Sequence, residues 1–417
     1  MKTKYSKVAR FIIILFIAGM VLPLCAQDYP DYITINGVVK DKKSKDKLEY
    51  VSISIPGTSI GTVTNEDGGF SIKVKDSLQA KVLELSRLGY ANQRYSIKGN
   101  EDDITIFMTA NDNKLKEVVI ESVDPLELVK AAIGKIADNN SCNANLLTGF
   151  YRETVKKRRN YINISEAVVD VYKTPYDEDD SRDNIQVCKG RKLLSPKPSD
   201  TLIVKFLGGP NLSTYLDVVK NKDLMLNPET LSYYEFSIED PVILNERLHY
   251  VVSFKPQVIL PYALLYGKLY IDKQSLAFSR AEFSLSMDDQ NKATEAILRK
   301  KPYRLRFKPE EVSYVVTYKE QNGRSYLNYI RNEIRFKCDW KRRLFSTNYT
   351  ILLEMVMTER KEDHVERIPS KLLFNEKHSL SDKVGSFYDQ DFWEDYNIIE
   401  PTESLESAVT KLKKQNK

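Results

Sequence analysis

From Ile33 to Glu121 apolar residues recur at every second position in short runs. Ile33 and Ile35, then Val51, Ile53 and Ile55, then Phe70, Ile72 and Val74 alternate with polar neighbours. Leu83 and Leu85, Ile104, Ile106 and Met108, and the run Val118-Val119-Ile120 complete the set. Pro56-Gly57, Asn65-Glu66-Asp67-Gly68-Gly69 and Lys98-Gly99-Asn100 separate them. Period-two runs bounded by glycine turns predict a Greek-key β-sandwich over 33–121. The period changes at Asp124-Pro125, an N-cap followed by a first-turn proline. Leu126, Val129, Ala132, Ile133 and Ile136 then fall at helical spacing, which predicts a helix over 125–137. From Leu147 to Glu359 alternation returns in longer runs: 161–172, 248–254, 264–271, 277–285, 312–319, 326–336 and 347–357. Asp272-Lys273-Gln274-Ser275 and Glu320-Gln321-Asn322-Gly323 read as hairpin turns. Hairpin-linked strands make one large curved antiparallel sheet, whose apolar face needs the helix as cover. Where the helix does not reach, the concave face is expected to remain a groove of mixed aromatic and aliphatic character. The fold class is therefore mainly β: a sandwich over 33–121, a sheet with covering helix over 124–386, and a tail over 387–417 with a short helix at Ser404–Lys413.

The first 26 residues follow neither period. Lys2, Lys4, Lys7 and Arg10 precede an uncharged apolar stretch from Phe11 to Leu24, and Leu24-Cys25-Ala26 follows. This is the pattern of a secretory signal peptide, with cleavage expected after Ala26. The alternative is a lipoprotein signal with Cys25 acylated. No later stretch has the ~20 apolar residues that a spanning helix needs. Removing the leader leaves 59 basic and 58 acidic residues, so long-range attraction for nucleic acid is not expected. The basic runs Lys156-Lys157-Arg158-Arg159 and Lys341-Arg342-Arg343 read as solvated turns or strand ends. Cys142, Cys188 and Cys338 show no disulfide framework and are expected to be small buried hydrophobes.

The run INGVVKDKKSKDKLEYVSISIPGTSIGTVTNEDGGFSIKV, with LELSRLGYANQ and LKEVVI after it, resembles the carboxypeptidase-like regulatory domain. Gly61, Thr62, Thr64, Gly68 or Gly69, and Phe70 meet that family's G-T-x-T-x-x-x-G-x-F pattern, while Arg87 departs from the usual apolar or aromatic residue. The resemblance implies a transthyretin-like sandwich and an accessory role in a Bacteroidetes cell envelope, as at the front of TonB-dependent receptors. It does not imply peptidase activity. The stretches GFYRETVKKRRNYINISEAVVDVYK, CKGRK, YGKLYIDKQSLAFSRAEF and DQDFWEDYNIIEPTESLESAVTKL resemble the periplasmic part of a Bacteroidetes family of unknown function whose larger members add an outer-membrane barrel. A sheet wrapping a helix also resembles lipoprotein carriers at the level of fold.

Catalytic chemistry is sparse. His249, His364 and His378 form no metal-binding spacing, the cysteines form no C-x-x-C, and no nucleotide or nucleophile-elbow fingerprint occurs. Asn65-Glu66-Asp67-Gly68 is too short for a calcium loop and reads as a hairpin turn. No metal and no cofactor is expected. The one constellation worth following is Tyr151, Arg152 and Glu153 with Glu166 and Arg191. Alternation puts Arg152 on one strand face and Tyr151 and Glu153 on the other. The charges of neighbouring strands would meet in a curved sheet and fix a polar ligand group, or pair with each other across the strands.

The leading expectation is a non-catalytic binding or assembly module of the cell envelope, in the periplasm or at the periplasmic face of the outer membrane. Its ligand would be an apolar chain, a peptide or a glycan, and an outer-membrane protein its partner. Two other expectations stand beside it: a hydrolase using Glu153 and Glu166, and an accessory subunit of an outer-membrane transporter. The hydrolase needs both carboxylates in one pocket.

Overall fold

A computed structural model describes residues 32–111, 123–180, 182–200, 205–206, 209–340, 346–386 and 390–416. The leader, Val118-Val119-Ile120 and Lys341-Arg342-Arg343 lie outside the described residues.

The N-terminal unit is built from β1 (Tyr32–Asp41), β2 (Ser52–Ser54), β3 (Gly61–Val63), β4 (Gly69–Lys75), β5 (Val82–Ser86), β6 (Gln93–Ser96) and β7 (Glu101–Met108). They form two sheets, β4-β1-β7 and β3-β2-β5-β6. Alternation places Ile35, Val39, Ile53, Phe70, Ile72, Val74, Leu83, Leu85 and Met108 in one closed core. The turn between β3 and β4 is an Asx turn: the Asn65 Oδ1 accepts from the amides of Asp67 (2.9 Å) and Gly69 (2.8 Å). Gly68 has φ +70°, and a Cβ there would stand 2.7 Å from the Val39 carbonyl oxygen.

After the described chain resumes, Asp124 caps helix α1 (Pro125–Gly134), accepting from the amides of Leu126 and Glu127. The predicted single helix is broken at Lys135 and continues as the short α2 (Ile136–Asn139). A ten-stranded antiparallel sheet follows. Its strands are β8 (Asn145–Lys157), β9 (Asn160–Lys173), β10 (Asn184–Leu194), β12 (Tyr234–Leu244), β13 (Arg247–Pro256), β14 (Leu265–Asp272), β15 (Phe278–Leu285), β17 (Leu305–Gln321), β18 (Arg324–Trp340) and β19 (Thr347–Lys361). Their order is β10-β9-β8-β19-β18-β17-β15-β14-β13-β12. The last strand, β19, inserts beside β8, so the sheet is two hairpin runs joined in the middle. A separate pair, β11 (Lys205–Phe206) and β16 (Leu298–Lys300), lies outside it.

One face of the sheet is covered by α1 and α2, by the irregular stretch 209–233 that contains α3 (Pro210–Tyr215), and by α4 (Gln290–Ile297). A single apolar cluster on this face runs from Ile185 near one edge to Phe254 near the other. A large twisted sheet curls in this way around what it buries. The open apolar groove expected on this face is not there among the described residues: side chains of the covering stretches fill it. The opposite face carries the N-terminal sandwich and the C-terminal tail, which ends in α5 (Glu403–Gln415).

Candidate functional site

The five residues singled out in the sequence divide between the two faces. In register, Arg191 of β10 lies opposite Glu166 of β9, Glu166 opposite Arg152 of β8, Arg152 opposite Glu354 of β19, and Glu354 opposite Arg331 of β18. This is a ladder of alternating charge across five strands on the sandwich-bearing face. The Glu166 carboxylate binds both neighbours, with Arg152 Nε donating at 2.8 Å and Arg191 Nε at 2.9 Å. All three side chains are buried. Burial alone would raise the Glu166 pKa, but Arg152 and Arg191 outweigh it and hold it below the usual value. Burial raises the Glu354 pKa against Arg152 and the Tyr329 hydroxyl, which donates at 2.8 Å.

The expected ligand pocket at this ladder is filled by the chain itself. Arg152 Nη2 donates to the Ile399 carbonyl at 2.7 Å, and Nη1 points at that of Glu400. The Arg191 guanidinium lies 4.7 Å from the Trp393 ring centroid. Trp393 and Ile399 pack with Phe150, Val168, Tyr329 and Val356 of the sheet and with Val63 of the sandwich. The tail thus lies between the two units. It binds the sandwich as well: Thr62 Oγ1 donates to the Ile398 carbonyl at 2.8 Å, and the Asn65 amide group donates to those of Glu400 and Pro401. The loop that might pass for a calcium site is in fact a clamp on the tail.

Tyr151 and Glu153 face the other way, into the helix-covered core. The Tyr151 hydroxyl lies 3.3 Å from the Glu153 carboxylate. Burial, with Asp382 nearby, pushes the Glu153 pKa up to about 7. Glu153 is in register with Ser165, so it is on the opposite face from Glu166. The two carboxylates do not share a pocket, and the arrangement a paired-carboxylate hydrolase needs is absent from them. His249 is buried, its Nε2 2.8 Å from Ser279 Oγ. Among the described residues no group of three or more histidine, cysteine or acidic side chains could hold a metal. Cys142 and Cys188 are exposed and only Cys338 is buried, which corrects the expectation of three buried cysteines; a thiol at a turn or an edge strand has no periodic signal.

Two features escaped the sequence. The first is a buried network on the helix-covered face. Lys173 Nζ lies 3.0 Å from Asp183 and 2.9 Å from Asp217, and Asp217 accepts from the hydroxyls of Tyr176 (2.9 Å) and Tyr318 (2.8 Å). Burial opposes the Lys173 charge, but the two carboxylates prevail and its pKa is raised. A lysine so well neutralised is a structural clamp. The second is a polar cavity of about 380 Å³ between sandwich and sheet. Ser52, Ser54, Glu84 and Ser86 line it from β2 and β5, and Thr317, Lys319 and Asn328 from β17 and β18. Burial drags the Lys319 pKa down to about 8. Lys319 has no counter-ion within salt-bridge distance among the described residues, and the buried Asn92 Oδ1, which also faces the cavity, has no hydrogen-bond donor there. No sequence signal marks this site, because its walls come from five segments far apart in the chain.

Residues 35–120 match the family model of the CarboxypepD_reg-like domain. The chain is 27% identical over 120 residues, 29% of its length, to TonB-dependent receptor P3 of Formosa agariphila. It is 27% identical over 109 residues to TonB-dependent receptor SusC of Bacteroides thetaiotaomicron. It spans about a tenth of the length of these receptors (11% and 10%). Among solved structures, a DUF1329 family protein from Desulfovibrio piger aligns over 60% of this chain and 100% of its own, with 10% identity and a TM-score of 0.26. A putative membrane-associated protein of unknown function from Bacteroides fragilis aligns over 79% of this chain and 98% of its own, with 10% identity and a TM-score of 0.16. No described helix is long and apolar enough to cross a membrane. The N-terminal sandwich, with its glycine turn and closed apolar core, is the part of the chain that matches the CarboxypepD_reg-like domain.

Proposed function

We propose that the chain is an exported, non-catalytic binding module of the cell envelope, and that the cavity between sandwich and sheet is its ligand site. One observation carries the reading: a polar cavity at the junction of two units, where among the described residues Lys319 has no salt-bridge partner and the buried Asn92 Oδ1 has no hydrogen-bond donor. Buried polar groups are nearly always paired, so the Asn92 Oδ1 left over on this cavity wall points to a missing partner. The serine, threonine and asparagine lining suits a polyhydroxylated molecule, and Lys319 favours one with a carboxylate. A sugar acid answers both. The similarity of the sandwich to TonB-dependent receptors supports an envelope setting.

Thermal unfolding with glucose and with glucuronate tests this. A ligand present at about 100 times its Kd stabilises by about 2.7 kcal/mol. Glucuronate is expected to raise Tm by several degrees, glucose by less, and Lys319→Met should remove the difference. No shift with either sugar would refute the cavity as a sugar-acid site. A second reading, an accessory subunit beside an outer-membrane receptor, rests on the same sandwich similarity; co-purification from cross-linked envelopes distinguishes it.

A further inference from the structure

The loops at the two ends of the large sheet differ sharply in charge. At one end β8 turns into β9, β13 into β14, and the connection from β15 leads into β17. The first turn carries Arg158 and Arg159, both exposed. The residues entering β17 are Leu-Arg-Lys-Lys-Pro-Tyr-Arg-Leu-Arg at 298–306, five basic residues and no acid, which outnumber the exposed Asp288 and Glu295 earlier in the same connection. Next to this connection in the sheet order, on the side away from β8 and β9, residues 256–266 read Pro-Gln-Val-Ile-Leu-Pro-Tyr-Ala-Leu-Leu-Tyr and contain no charge. Ile259 in this loop is 93% exposed and Tyr262 is 54% exposed, while Tyr303 in the basic stretch is 90% exposed. The opposite end carries an excess of acid. Asp177, Glu178 and Asp179 follow β9, Glu246 joins β12 to β13, Glu320 precedes the β17–β18 turn, and Asp363 follows β19; all six are exposed, against the exposed Arg182, Lys273 and Lys361 at the same end.

We propose that the end bearing Ile259, Tyr262 and Tyr303 is a peripheral docking surface for a bilayer of anionic phospholipid. A scattered exposed apolar side chain needs no explanation. Here an aliphatic tip and two tyrosines sit on neighbouring loops at one end of a sheet, flanked by guanidinium and ammonium groups. An aliphatic side chain enters the acyl boundary, tyrosine rings settle at headgroup level, and basic side chains meet the phosphates. Each Lys or Arg near an anionic surface adds about a factor of five in partition. The acidic loops at the far end are repelled, so the charge asymmetry also orients the molecule. Mean net charge hides this arrangement, because the two ends nearly cancel.

Co-sedimentation with vesicles tests it. The protein is residues 27–417, since the apolar leader would partition by itself. Vesicles of phosphatidylethanolamine and phosphatidylglycerol (3:1) are compared with phosphatidylcholine alone, each at 50 and 500 mM salt. The expected result is pelleting with the anionic vesicles at low salt, at least tenfold weaker with phosphatidylcholine and at high salt. The double reversal Lys301→Glu with Arg304→Glu should weaken it at least tenfold. The triple variant Ile259→Ser, Tyr262→Ser, Tyr303→Ser should weaken it as much with an unchanged Tm, because these side chains are exposed. Asp177→Lys should not weaken it. Equal pelleting with both vesicle types, no pelleting with either, or full pelleting of the triple variant overturns the proposal. Failure here leaves the sugar-acid cavity untouched, since the two sites share no residue.

Discussion

Glu153 is a buried carboxyl with one weak hydroxyl partner, and its pKa of about 7 stands well above its ordinary value of 4.5. The folded protein therefore binds this proton more tightly than the unfolded chain does. Linkage makes its contribution fully present below pH 4.5 and lost as pH rises through about 7. Glu153→Gln keeps the shape and removes the titration. It is expected to change stability little at pH 4.5 and to stabilise the protein at pH 8 by up to about 3 kcal/mol. Urea unfolding of both proteins at the two pH values checks this, and a pH-independent difference would show that Glu153 is not the titrating group. Glu166 has the opposite sign. Its pKa is lowered, so its contribution is present above the ordinary carboxylate value and lost as acid protonates it. Removing one of its two arginines leaves an under-compensated buried carboxylate. Arg152→Met also strips donors from the carbonyls of Ile399 and Glu400, and a cost of about 3–5 kcal/mol is expected. Arg191→Met should cost less, because Arg152 still neutralises Glu166. A chemical-denaturation ranking of the two variants decides it.

At the scale of elements, what the sequence shows depends on how local the cause is. Alternation and turn chemistry are local. Strand β9 was expected over 161–172 and spans Asn160–Lys173, and both named hairpin turns join the strands they were assigned to. Gly68 shows how firm such a cause is: its φ of +70° and the 2.7 Å approach to Val39 oxygen both exclude a side chain. Gly68→Val should therefore lower the melting temperature, most visibly in the sandwich signal, by at least about 2 kcal/mol of stability. Helix α1 was legible from Asp124-Pro125 and its apolar stripe, but the break at Lys135 was not. Within that stripe Val129 and Ala132 are fully buried, whereas Ile133 is only partly so. Stretch 209–233 carries no period at all, since its conformation is set by the sheet beneath it. The candidate site fared similarly. Register could place Arg152, Glu166 and Arg191 together, because cross-strand neighbours follow from hairpins. Nothing local could reveal that residues 392–400, some 240 positions from Arg152, would cover them.

At the scale of the molecule, that covering tail determines whether sandwich and sheet behave as one body. The sandwich has its own closed core, so it is expected to fold without the sheet. Among the described residues its direct bonds to the sheet include Ser59 with the Arg360 backbone, Glu66 with Arg331, Ser86 with Asn245, Gln321 with the Gly57 carbonyl, and the Tyr50 ring stacked 5.8 Å from Tyr329. The tail adds many more, and it bonds to both sides at once through Asn65, Thr62, Lys73 and Arg152. It also buries Trp393 and Ile399 against Phe150 and Val63. Beyond it, α5 fixes the tail to β9 and β10 by packing Leu405, Val409 and Leu412 on Ile164 and Leu193. A chain ending at residue 386 should thus lose the mortar and keep both bricks. Calorimetry of residues 27–417 is expected to give one cooperative transition, and of residues 27–386 two separated ones, with the sandwich transition matching that of isolated residues 27–122. The sheet transition should also move down, since truncation bares Phe150, Val168 and the charged ladder to water. Adding back a peptide of residues 387–417 should re-couple the two transitions at high concentration. One unchanged transition after truncation would show that the direct contacts suffice, and that the ladder's hold on the tail is incidental to the architecture.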